Sequence, residues 1–200
     1  MPPNFRSLVH VAVLSLVAVA SCRRPQANSR PVPAAPATAR SAAAQRAERV
    51  SPANVIAIIL AANNSDLSYA RLAPARSSNA EVKAFAQRML TDHTLLNARL
   101  NDIVMRGRLR VEDNASSLDF RDYSAARRDV LRDLDGARFD SAYVANEVQY
   151  HQQYLDAITD VLMPSTTSGE LRDFVTSLRP AVSAHLAHAE QIRATLASRK

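Results

Sequence analysis

The chain has 200 residues, with 25 Lys and Arg against 19 Asp and Glu, three glycines, one cysteine and no tryptophan. The single cysteine excludes an internal disulfide, and the length allows one folded domain rather than several. The net charge of +6 lies in the N-terminal quarter: residues 53–200 hold 18 basic and 18 acidic side chains, and no basic stretch there is interleaved with aromatics, so a nucleic-acid partner is not expected.

The N-terminus reads as an export signal. Arg6 precedes an apolar run from Leu8 to Ala20 that is too short to span a bilayer but suits a signal-peptide core. It ends in Val19-Ala20-Ser21-Cys22, which looks like a bacterial lipobox in which the Cys22 thiol is lipidated and becomes the new N-terminus. Residues 1–21 are then the leader. Residues 22–52, rich in Ala, Pro, Arg and Ser and without hydrophobic periodicity, read as a disordered tether beginning at the lipidated Cys22. This places the protein in the cell envelope on the periplasmic side, at the outer membrane. The membrane is its partner through the lipid, with an envelope protein or a second copy as further partners.

Residues 53–200 form the domain, and their composition is all-α. Ser51-Pro52 supplies an N-cap and a proline at the first helical position. Val55, Ile59, Ala62, Asp66, Tyr69 and Ala73 then repeat at helical spacing until Pro74. A second helix opens at Ser78-Asn79, carries Val82, Met89, His93, Leu96, Leu100 and Ile103 on one stripe, and closes at Gly107. A third starts around Asp140 and runs through Val144, His151, Leu155, Ile158 and Leu162 to Pro164. The fourth covers Ser168 to Ser198, with Pro180 expected to kink it. Between the second and third lie residues 108–139, with a short helix expected over Tyr123–Leu134 and Gly136 as its stop. A connector that long can cross the whole bundle, which is the wiring of a ferritin-like four-helix bundle with a crossover between helices 2 and 3.

Each long helix carries one titratable side chain on its apolar stripe: Asp66, His93, His151 and His185. Buried polar groups are costly without partners, so the economical arrangement brings the four together in one layer. Three imidazoles and a carboxylate at one level suit Zn²⁺ or Fe²⁺, with Asp92, Glu147 and His188 placed to orient the ligands or add to them. The alternative is a metal-free polar layer. Glu147 precedes His151 by four residues, and no carboxylate lies three before His93 or His185, so the paired Glu-x-x-His pattern of di-iron bundles is missing. Nor is there a nucleophile elbow, Walker loop or glycine fingerprint, so no catalytic residue is assigned and enzymatic activity stays open.

The stretch Glu81-Val82-Lys83-Ala84-Phe85-Ala86-Gln87-Arg88-Met89-Leu90-Thr91-Asp92-His93-Thr94 resembles the bacterial domain-of-unknown-function family 4142. Phe139-Asp140 with Tyr143 and His151, and Pro180 with His185-Leu186 and Ala189, extend the likeness over residues 53 to 195. The resemblance implies an exported protein with a ferritin-like fold and no established reaction. The first helix departs from it: Asp66-Leu67-Ser68-Tyr69-Ala70 stands where the family has an acidic Glu-Val-Glu-Leu-Gly type segment. The expected function is a binding or structural role in the envelope, with a metal in the bundle core. The alternative is a ferritin-like metal-dependent oxidoreductase or peroxide-handling enzyme.

Overall fold

Side-chain caps decide where most of the helices start. In the computed structural model, which describes residues 50–167 and 169–198, the Ser51 hydroxyl accepts from the Asn54 amide while the Asn54 side chain accepts from the Ser51 amide. This reciprocal cap opens α1 (Pro52–Ala70). After the short turn α2 (Ala73–Arg76), the Asn79 side chain accepts from the Glu81 and Val82 amides and starts α3 (Ala80–Gly107). A second reciprocal cap, Asn114 with Ser117, opens α4 (Ala115–Arg132). Then come α5 (Gly136–Ala157), a π-helical turn (Ile158–Leu162), α6 (Met163–Ser165) and α7 (Gly169–Ser198). No strand occurs among the described residues. The expected leader, the Cys22 site and the tether as far as residue 49 lie outside them.

Contacts at the two ends of the bundle give each helix its direction. At one end the Glu112 amide donates to the Ala53 carbonyl at 3.2 Å, the Val50 amide donates to Ser165 Oγ at 3.1 Å, and Arg106 faces Glu170 at 3.5 Å. At the other end Arg76 pairs with Asp135 at 2.9 Å, and the Ser77 and Ser78 hydroxyls donate to the buried Asp140 carboxylate at 2.5 and 3.1 Å. Hence α1, α4 and α7 run one way and α3 and α5 the other. α1 packs against α3 and α4, α5 against α7, and α3 against α7. The result is an all-helical bundle.

Several boundaries differ from those expected. The crossover holds an 18-residue helix, α4, rather than a short one over Tyr123–Leu134, so the bundle has five long helices rather than four. The reason lies in α1. Val55, Ile56, Ala57, Ile58 and Ile59 are buried in succession, so α1 is apolar on more than one face and needs a second cover. α4 supplies it with Phe120 and Leu131. Gly136 does not stop a helix but begins α5, at φ +57°, four residues earlier than Asp140. α1 ends at Ala70 rather than near Pro74, which falls in α2. Gly107 is the last residue of α3, and the left-handed position after it is taken by Arg108 at φ 47°. Pro180 lies inside α7, as expected.

Candidate metal centre

Asp66 comes from α1, His93 from α3, Glu147 and His151 from α5, and His185 from α7. Asp66, His93, Glu147 and His151 are fully buried and His185 is 3% exposed. The four stripe residues do converge. Asp66 Oδ2 lies 2.8 Å from His93 Nε2 and 3.3 Å from His151 Nε2. The imidazole centroids are 6.0 Å apart for His93–His151 and 5.4 Å for both His93–His185 and His151–His185. One ligand atom each from His93, His151 and His185 lies within 4.8 Å of the others, and the same holds for Asp66, Glu147 and His151.

Each imidazole has one nitrogen held by an oxygen acceptor. His93 Nδ1 donates to Asn63 Oδ1 at 3.0 Å, His151 Nδ1 to the Glu147 carbonyl at 2.9 Å, and His185 Nε2 to Asp92 Oδ2 at 2.9 Å. Those bonds place the proton on the bonded nitrogen and leave the lone pair on the other. The remaining nitrogens, His93 Nε2, His151 Nε2 and His185 Nδ1, are all buried and make no hydrogen bond, and neither do both Asp66 oxygens. An oxygen held on one imidazole nitrogen with the other nitrogen bare is the outer-shell arrangement of metal-ligating histidines.

Electrostatics sharpens the point. Two acceptors at 2.8 Å repel unless a proton or a cation lies between them. Burial pushes the Asp66 carboxyl up, yet the His93 and His151 imidazoles overcome it and hold it far below the ordinary carboxylate range. That depression holds only while a proton or a cation lies between the Asp66 carboxylate and the facing imidazole nitrogens. Tetrahedral bonds of about 2.1 Å set ligand atoms roughly 3.4 Å apart; the Asp66–His151 spacing of 3.3 Å matches that value and the Asp66–His93 spacing of 2.8 Å is shorter. Burial, then the Asp66 charge, pushes the Glu147 carboxyl well above its usual range. Burial pulls His185 down to about 4 against the opposing pull of Asp92.

Two further expectations resolve differently. Asp92 contacts the His185 ring, its Oδ2 lying 2.9 Å from Nε2. His188 does not join the layer: it packs edge-on against Phe85, centroids 5.2 Å apart, and belongs to neither group of potential ligands. Asn63 was missed by sequence reasoning. It is buried, bonds His93, and its amide donates to Asn97 Oδ1 at 2.9 Å, while Asn97 in turn donates to Asn64 Oδ1 at 2.9 Å. The signal was available: Asn63 precedes Asp66 by three residues and so shares its helix face. The buried tyrosines Tyr69, Tyr143, Tyr150 and Tyr154 pack around the layer, Tyr150 edge-on to His151 at 5.7 Å.

Fold and site together define an all-α bundle with a buried histidine and carboxylate layer between its helices. The chain belongs to the family described as Domain of unknown function (DUF4142), whose model matches residues 35–192. Comparison with curated proteins and with solved structures found no match to the chain.

Proposed function

We propose that the protein is a lipid-anchored envelope protein whose ferritin-like bundle binds one divalent metal ion, Zn²⁺ or Fe²⁺, through Asp66, His93, His151 and His185. The observation that carries this reading is the set of three buried imidazole nitrogens without hydrogen bonds, two of which, on His93 and His151, lie 2.8 and 3.3 Å from the buried Asp66 carboxylate. Three nitrogens and one oxygen suit either metal. Asn63, the Glu147 carbonyl and Asp92 would hold the three rings. When bound, the ion would neutralise Asp66 and cross-link four helices. Its role is then binding or structural. The ferritin-like assignment is supported by the directions of α1, α3, α5 and α7 and by a crossover that runs the length of the bundle.

Elemental analysis of the purified protein tests the reading. One Zn or Fe per chain is expected, and His93→Leu, His151→Leu and His185→Leu should each lose it together with the stability that binding confers. Metal-free wild type, with additive stability losses of about 1–3 kcal/mol per substitution, would instead mean a polar layer.

A second reading, a ferritin-like metal-dependent oxidoreductase or peroxide-handling enzyme, is favoured by the second ligand group, Asp66 with Glu147 and His151, which shares two residues with the first site. Two metals per chain, with peroxide consumption lost in Glu147→Gln, would select it.

Anchoring rests on Val19-Ala20-Ser21-Cys22, and no described helix is long and apolar enough to cross a membrane. In cells the wild type should take up labelled palmitate and sediment with membranes, and Cys22→Ser should do neither. Label retained on the mutant would remove the anchor.

A further inference from the structure

The cluster is sealed from solvent almost everywhere, which raises the question of how an ion reaches it. One side chain touches both regions. His185, whose Nδ1 is buried and unbonded, also lines a groove of about 270 Å³ between α3 and α7, together with Asp92, Leu95, Leu96, Arg99 and Ala181. None of the cluster residues lines the larger cavity of about 360 Å³ between α1, α4 and α5. Resting on the metal-centre reading, we infer that the α3–α7 groove is the port through which a divalent cation reaches the cluster, with Asp92 as the carboxylate that first holds it.

The groove has the chemistry for this. Asp92 is its only carboxylate, and its side chain is 31% exposed, against none for Asp66. His185 Nε2 and Arg88 Nε both contact Asp92 Oδ2, at 2.9 and 3.2 Å, and Oδ1 takes neither contact. A hydrated cation arriving at Asp92 would meet a hard oxygen ligand of the kind such ions prefer. Two guanidinium groups flank the groove: Arg88 pairs with Asp92, and Arg99 lies 5.5 Å from the Phe174 ring centroid, so Asp92 supplies the negative charge an entering cation meets. Leu95, Leu96 and Ala181 form apolar walls that give the ion no competing ligand, so the next available donor is His185. Rotation of that imidazole would release Nε2 from Asp92 and pass the ion inward, to the bare nitrogens of His93 and His151.

A port sets rates, not affinity, because it is crossed in both directions and the bound state does not include it. Ala181→Phe narrows the groove without touching a ligand, and Leu96→Ala widens it. Co²⁺ uptake by the metal-stripped full-length protein, followed by its visible absorption, gives the association rate, and release into excess EDTA gives the dissociation rate. Ala181→Phe should slow both by about tenfold, and Leu96→Ala should speed both, with Kd unchanged for each. Asp92→Asn, which can still accept from His185, should slow uptake. Equal rates in wild type, Ala181→Phe and Leu96→Ala at equal Kd would overturn the port and leave the metal centre standing. Absence of the Co²⁺ absorption in wild type would overturn both.

Discussion

A single amide decides how His93 is presented. Asn63 Oδ1 accepts from His93 Nδ1 while its amide nitrogen donates to Asn97, so the asparagine cannot turn over without losing both bonds. Asn63→Leu would leave the His93 Nδ1–H buried without an acceptor and free the ring to rotate. A loss of about 1–3 kcal/mol in urea unfolding of the metal-free protein is expected, and Co²⁺ affinity should fall about 10- to 100-fold, as for other outer-shell partners of metal-bound histidines. Unchanged affinity would mean that the ring is held by packing alone. His185 makes a separate, pH-dependent contribution. Its folded value is pulled down to about 4 from an ordinary 6.5, so the unfolded chain takes the proton first as pH falls. The stability that comes with neutral His185 is therefore complete above pH 6.5 and is lost between 6.5 and 4. Asp66 and Asp92, held low, lose theirs only as pH falls below their ordinary 3.8. Glu147, held high, works in the opposite sense, stabilising as pH falls toward 4.5. Urea unfolding of metal-stripped wild type and His185→Gln at pH 7, 5.5 and 4.5 separates these contributions. The wild type should lose stability relative to the mutant as pH drops across that range.

At the scale of elements, the caps and the glycines show how local chemistry is read and misread. The Ser51 and Asn79 caps are legible because each precedes a strong apolar stripe. The Asn114–Ser117 cap precedes a polar segment, Ala115-Ser116-Ser117-Leu118-Asp119-Phe120-Arg121-Asp122, whose apolar residues are too sparse to mark a helix alone. α4 forms because α1 needs covering, a demand made by another part of the chain. Gly107 is a natural left-handed terminator, but that conformation falls one residue later, on Arg108 at φ 47° and ψ 39°. A left-handed L-residue costs roughly 1–2 kcal/mol. Arg108→Gly should therefore raise stability by about 0.5–1 kcal/mol after the extra unfolded-state freedom of glycine is subtracted. Thermal unfolding checks it, and a lowered Tm would show that the Arg108 side chain contributes more than its backbone strain.

For the whole molecule, the helical class, the places where α1 and α3 begin, and the stripe positions of Asp66, His93, His151 and His185 are legible in the order of residues alone. Period and capping are local properties, carried within about one turn of chain. The family is legible there too, through the Glu81–Thr94 stretch and its companions. The meeting of the four stripes at one depth, the packing of His188 on Phe85 and the contact of Asn63 with His93 emerge only from how the helices pack. So does the fifth long helix in the crossover. A heptad count gives the face a residue occupies but leaves the rotation and axial offset of one helix against another free. Those are set by how side chains from different helices interlock, and that depends on every helix at once.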